Sequence, residues 1–305
     1  MSEPRPGPGG LRLLAPAKIN WTLEVLGRRD DGYHELRTVL QTIDLADTVV
    51  VAPAPDLTLA VTGEGAASLG APESNLAYRA AALLRERFRV RAGARIAIEK
   101  RVPVAAGLGG GSSDAAATLR GLARLWGLDL DAATLAALAA ELGSDAPFFV
   151  YGGTALAEGR GERVTPLPDA PSRDIALSFP GRTNGDAEGK TARLFAMLRP
   201  SDFADGAASA ALAAALRAEE TRDIPDLDAR YVNTFERVAD AAFPGLAARR
   251  EALAVATGRA PRLAGAGPTL FVVVEGPSAE GLPANAVRAR TLSREAALRV
   301  ETVDG

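Results

Sequence analysis

The chain has 305 residues, 47% of them hydrophobic and 24% charged, a globular composition with enough length for two domains. Its net charge of -3 excludes a large nucleic-acid footprint, which requires a basic surplus or face. There is no cysteine and a single histidine, His34, so disulfides, thiolate chemistry and histidine metal clusters are excluded. Chemistry therefore falls to Lys, Asp, Ser, Thr and main-chain amides. The opening MSEPRPGPGG lacks the apolar centre of a signal peptide, and no run approaches ~18 apolar residues. A cytoplasmic protein with neither membrane nor nucleic-acid partner is expected.

In chain order, residues 1–10 read as a flexible tail. In KINWTLEV, Ile19, Trp21, Leu23 and Val25 alternate with Lys18, Asn20, Thr22 and Glu24, which predicts a half-buried strand with a polar face. RRDDGYHEL is a turn around Asp31 and Gly32, and RTVLQTIDLADTVVVAPA supplies more strand. ESNLAYRAAALLRERF is an amphipathic helix with Leu76, Ala80, Leu83 and Leu84 on one face, and ARIAIEK alternates again as a strand.

Next comes PVAAGLGGGSSDAAATLRG, where Ser112 or Ser113 is the expected N-cap of a helix running to Gly127. DAATLAALAAELG is a second helix, with Leu135, Leu138 and Leu142 inward, followed by SDAPFFVYGG, read as Asp145 leading into an apolar strand. The proline-rich residues 164–174 form a linker between an N-terminal domain, 11–163, and a C-terminal domain, 175–305. The latter holds strands in IALSFPG, TLFVVVEG and AVRARTL, and helices near 190–198, 207–220 and 233–257.

Glycines entering a helix leave main-chain N–H groups unscreened, and the helix start adds roughly half a positive charge. Such a loop suits a polyphosphate, although glycines also mark tight turns. This loop has no lysine. The one Gly-Lys-Thr lies in NGDAEGKT, where Asn184 takes the first glycine position of a Walker loop, and the dinucleotide fingerprint fails at Ser112. A main-chain cradle with cationic help from elsewhere in the chain is what remains.

PVAAGLGGGSSDAA resembles the second motif of the GHMP kinases, the superfamily that groups galactokinase, homoserine kinase, mevalonate kinase and phosphomevalonate kinase. PAKINWTLEVLGRRDDGYHELRTVLQTIDLAD and LGSDAPFFVYGGTALAEGRGE narrow the resemblance to the 4-diphosphocytidyl-2-C-methyl-D-erythritol kinase family. It implies an α/β (α+β) GHMP kinase fold, with a ribosomal-protein-like N-terminal α/β domain, a ferredoxin-like C-terminal domain and the site in the cleft between them. It implies an ATP- and Mg2+-dependent transfer to the C2 hydroxyl of CDP-methylerythritol, in the methylerythritol phosphate route to isoprenoids.

By motif position, the resemblance makes Lys18 and Asp145 the catalytic pair. It assigns ATP to Pro103, Val104, Ala105, Ala106, Gly107, Leu108, Gly109, Gly110, Gly111, Ser112 and Ser113, with Asn75, Leu76, Lys100 and Asp114 near the adenine. Asn20, Tyr33, His34, Thr191 and Phe195 fall on the cytidine-diphosphate side, with Tyr33 and Phe195 able to sandwich a flat base and His34 able to read its edge. Two departures stand out. LAGAGPTLF carries Ala266 where the third motif has a serine, and PSAEGLPAN is too short for a full terminal helix. A mevalonate- or homoserine-type kinase and a non-catalytic nucleotide-binding domain are the competing readings. A monomer or a weak homodimer is expected.

Overall fold

A computed structural model describes residues 9–180, 189–218, 230–275 and 281–303. Most of the tail, residues 181–188, the end of the helix read to 220 and the proline-bearing 276–280 lie outside the described residues. The chain folds as a mixed α/β protein.

Two long antiparallel strands, β1 (Gly10–Arg28) and β2 (His34–Ala54), carry the first sheet. β3 (Leu57–Gly63), α1 (Leu76–Phe88) and β4 (Gly93–Lys100) follow, with β3 and β4 parallel as a crossover helix permits. α2 (Gly110–Leu125), α3 (Ala132–Leu142) and α4 (Ala146–Tyr151) pack on one face of this sheet, and β5 (Thr154–Gly159) and β6 (Arg163–Pro166) extend it beside β2. Leu13, Val49, Val51, Ile96, Ala116, Leu119 and Phe148 form the core between sheet and helices.

A second antiparallel sheet is built from β7 (Asp174–Ser178), then β9 (Arg262–Leu263), β10 (Leu270–Val274) and β11 (Ala286–Arg290), in the order β11-β7-β10-β9. Around it lie α5 (Lys190–Met197), α6 (Ala207–Arg217), α7 (Glu236–Ala242) and α8 (Leu246–Thr257). The chain twice returns to the first sheet: β8 (Val232–Asn233) and β12 (Val300–Val303), which follows the short α9 (Arg294–Ala297), both pair with β1.

Several expectations need correction. The polar side of β1 faces no solvent: Lys18, Asn20, Thr22 and Glu24 are all buried. α6 covers Thr22 and Glu24, the Ser209 amide donating to Glu24 Oε2 at 2.7 Å and the Ser209 hydroxyl to Thr22 Oγ1 at 2.8 Å, so these buried polar groups are paired rather than solvated. Residues 146–151 form a helix, not a strand, since six residues of apolar sequence carry no period that separates the two. The helix read over 233–257 is two helices, interrupted at residues 243–245, where Pro244 lacks the amide that would continue the ladder. Leu142 is half-buried, and the inward face of α1 is Ala77, Ala80, Ala81 and Leu84.

Candidate active site

α2 begins at Gly110, and its N-cap is Gly109, in the left-handed region at φ 76°, rather than Ser112 or Ser113. The Ser113 amide already donates to the Gly109 carbonyl at 2.9 Å, and the Ser113 hydroxyl is buried with no partner. No side chain caps this helix, so its first-turn amides have no intrahelical partner and stay available to an anion. They open onto a cavity of about 390 Å³ lined by residues 103–112 together with Asn75, Leu76, Lys100 and Asp114. Of the residues assigned to ATP from sequence, only Ser113 stands outside it. Asn75, which lines the cavity, accepts from the Ala77 amide at 2.9 Å through its side-chain Oδ1 and so caps α1.

Lys100 and Asp114 form a buried ion cluster with Asp47 on β2. The Lys100 ammonium bonds Asp114 at 2.7 Å and also bonds Asp47. Burial opposes its charge, but the two carboxylates outweigh that, and its pKa is raised. Asp114 is pushed up to about 7, chiefly by burial, against the pull of Lys100 and with the like charge of Asp47 adding to it. Asp47 Oδ1 also accepts from the amides of Arg101 and Val102, at 2.5 and 2.8 Å, and so fixes where the glycine loop leaves β4.

Lys18 reaches the loop from β1. Its amide donates to the Leu108 carbonyl at 3.0 Å, and its Nζ donates to Asn20 Oδ1 at 3.0 Å. Asn20 Nδ2 donates in turn to Thr38 Oγ1 at 2.8 Å, and that hydroxyl to the Thr22 carbonyl at 2.5 Å. This relay sets the orientation of the Asn20 amide. A β-bulge between Asn20 and Thr22 interrupts the β1–β2 register at this point, a common device for re-aiming side chains. Burial lowers the Lys18 pKa, and the Asp145 charge works in the opposite direction.

Asp145 occupies the N-cap position of α4 but makes no side-chain cap bond, so its carboxylate is not committed to the helix. Gly265 closes the site from the second sheet. A Cβ there would come within 2.6 Å of Lys18 Nζ and 2.7 Å of the Gly107 carbonyl. The loop bearing Ala266 thus packs against both the glycine loop and the buried lysine with no room for a side chain at 265.

The remaining assigned residues sit outside the lining of this cavity. His34 stacks on Phe195, ring centroids 4.5 Å apart and 16° between planes, with Phe203 edge-on at 6.1 Å. Tyr33 is 53% exposed, and the Arg160 guanidinium lies 4.8 Å over its ring. His34 covers one face of Phe195. Thr191 is exposed, four residues before Phe195 on α5. Burial lowers the His34 pKa and the Arg28 charge adds to it, so the ring is neutral at physiological pH.

Residues 75–153, which include the cradle, match the model of the GHMP kinases N terminal domain. A 4-diphosphocytidyl-2-C-methyl-D-erythritol kinase of Shouchella clausii is 42% identical over 264 residues, covering 86% of this chain and 85% of that protein. The chain belongs to the 4-diphosphocytidyl-2-C-methyl-D-erythritol kinase family. It is an ATP-dependent phosphotransferase. A Geobacillus kaustophilus member is likewise 42% identical, over 270 residues, covering 87% of this chain and 88% of that protein. The crystal structure of a 4-(cytidine 5'-diphospho)-2C-methyl-D-erythritol kinase superposes with TM-score 0.73 at 38% identity, covering 92% of this chain and 98% of that one. Homoserine kinase from Cytophaga hutchinsonii superposes at 0.71 with 16% identity, covering 99% of this chain and 100% of that one, and shows the shared GHMP fold alone.

Sequence reasoning missed Asp47, Thr38, Arg160 and Lys190. Asp47 is 53 residues from Lys100, and no local spacing marks such a pair. Lys190 was visible only inside a failed Walker motif, yet its ammonium lands on the glycine loop.

Proposed function

We propose that the chain transfers the terminal phosphoryl group of ATP to the C2 hydroxyl of CDP-methylerythritol, in the route to isoprenoid precursors. The observation that carries this reading is the buried Lys18 ammonium, placed against the glycine cradle by Leu108 and Gly265 and under the field of Asp145.

Phosphoryl transfer asks mostly for alignment and neutralisation, because the loose transition state spreads charge over oxygens. The uncapped α2 amides hold phosphate oxygens, and residues 75, 76 and 103–106 wall the rest of the nucleotide. Lys18, held by Asn20, points its charge at the alcohol and the group in transfer. Asp145 accepts the proton from the hydroxyl as the oxygen attacks, and its uncommitted carboxylate suits that role. On the other side of the cleft, His34, Phe195 and Thr191 receive the cytosine, which slides onto an aromatic pair already in place; Tyr33 under Arg160 flanks the diphosphate.

Mg2+ takes hard oxygen ligands and few protein groups, completing its shell with phosphates and water. The cradle fits that demand: the Ser112 hydroxyl lines the cavity, close to Gly143 at the start of the segment that carries Asp145. Ser112 would hold the ion, which supplies neutralisation of phosphate charge when bound.

Phosphorus NMR of the reaction with ATP and CDP-methylerythritol tests the assignment. A new phosphomonoester on the methylerythritol C2 with stoichiometric ADP is expected. ADP release with mevalonate or homoserine but not with the cytidine substrate would overturn it.

A further inference from the structure

The glycine loop contains no lysine, and the one lysine that lines its cavity is already neutralised. Lys100 is bonded to two buried carboxylates, Asp47 and Asp114. The cation that a main-chain cradle needs for a polyphosphate must come from another segment.

Lys190, the first residue of α5, is the candidate. Its ammonium donates to the Gly267 carbonyl at 2.6 Å and also to the Ala105 carbonyl, so it sits where the glycine loop meets the turn that bears Gly265. Ala105 is at φ 56°, a left-handed conformation that costs a non-glycine residue on the order of 1 kcal/mol. The carbonyl of that residue accepts from this ammonium, and strained backbone clusters at ligand clamps.

The placement is unfavourable for a cation in the ligand-free protein. No carboxylate lies within ion-pair distance of Lys190 among the described residues. It occupies the N-terminal end of a helix, where the backbone dipole disfavours positive charge. Its pKa is lowered to about 8, first by burial and then by the charge of Lys18. Two ammonium groups converging on one uncapped glycine loop, with no carboxylate bonded to either among the described residues, describe a site short of negative charge, and a polyanion supplies it.

We infer that Lys190 is the cation of the phosphate cradle, contacting the β- and γ-phosphates of the bound nucleotide while tying the glycine loop to the 264–268 turn. This rests on the nucleotide reading of the cavity given above, and it names the group that takes the place of the serine hydroxyl absent at Ala266.

The test compares Lys190→Gln and Lys190→Arg in the full chain by calorimetric titration with ATP, ADP and AMP. Glutamine keeps two N–H donors for the carbonyls of Ala105 and Gly267 but no charge; arginine keeps the charge. Lys190→Gln is expected to weaken ATP and ADP by about 10- to 100-fold, the size of a lost charge-assisted bond, and AMP by less than about twofold. Lys190→Arg should bind ATP within about threefold of the unaltered protein. In the unaltered protein the ATP affinity should fall above about pH 8, because binding then requires proton uptake by Lys190, and in Lys190→Gln this fall should be smaller, since only Lys18 is left to titrate at the loop. Unchanged ATP affinity in Lys190→Gln overturns the inference, as does an equal loss for AMP, which would mark a collapsed loop instead of a missing charge. If the unaltered protein binds none of the three nucleotides, the reading of the cavity fails and this inference falls with it.

Discussion

Lys18 Nζ and Asn20 Oδ1 lie 3.0 Å apart on one side of β1, both buried, and the Asn20 amide is itself held by Thr38. An ammonium removed from water needs acceptors in compensation, and Asn20 is the one side chain that gives it a hydrogen bond among the described residues. The reading that put Asn20 against substrate alone thus gains a second role, orienting the lysine.

Asn20→Ala removes that acceptor and leaves the Thr38 hydroxyl still bonded to the Thr22 carbonyl. It is expected to cost about 1–3 kcal/mol of stability and to lower kcat by about tenfold or more. Chemical denaturation and steady-state assays check both. A variant with unaltered kcat would remove Asn20 from the positioning of Lys18.

Gly265→Ala tests the packing around the same ammonium. The added methyl meets Lys18 Nζ and the Gly107 carbonyl below normal contact distance, at a residue whose φ is 56°. Overpacking of this kind costs about 1–3 kcal/mol, and the displaced lysine should lower kcat by about 10²-fold with little change in ATP affinity. Equal effects on kcat and on nucleotide binding would place the damage in the cradle instead.

Asp114 gives the fold a pH dependence. Its carboxyl keeps a proton in the folded protein up to about pH 7, whereas the unfolded chain releases it near the ordinary carboxylate value. The folded state then binds more protons, so this group's contribution to stability declines as pH rises from about 4 to 7, at roughly 1.4 kcal/mol per unit at most. Asp114→Asn leaves Lys100 paired with Asp47 alone and should flatten the fall in Tm over that window. A Tm profile parallel to that of the unaltered protein would contradict it.

The stack of His34 on Phe195 predicts tight coupling in cytidine recognition. His34→Ala exposes the Phe195 face and should weaken CDP by about 1–3 kcal/mol, with ATP affinity unchanged. Titration with CDP and ATP separates the two. If CDP affinity is untouched, the cytosine does not lie on this pair.

Much of the site was legible because its elements are local. The glycine loop, the alternation of β1 and the helix opening at Asn75 are patterns of neighbouring residues, and the loop's residues gather around one cavity. What stayed hidden depends on long-range closure. The polar side of β1 reads as solvent-facing until α6, some 185 residues later, places Ser209 over Glu24. Asp47 looks like any strand-edge acid until Lys100 and Asp114 arrive beside it, and the serines after the glycines look like caps although Gly109 takes that position by its left-handed backbone. Tyr33 and His34 are adjacent in sequence, and only the fold decides that it is the imidazole that meets Phe195.

The most direct measurement is a single-turnover experiment with ATP and CDP-methylerythritol on the unaltered protein and Asp145→Asn, with nucleotide affinity measured alongside. The exchange removes the charge that holds up the Lys18 pKa and the carboxylate that takes the proton, while no cap bond to α4 is lost. The rate of transfer should fall by about 10² or more with ATP affinity within a few fold of the unaltered protein. A fall of less than tenfold would contradict the account, because the lysine and the carboxylate would then not converge on the reacting alcohol.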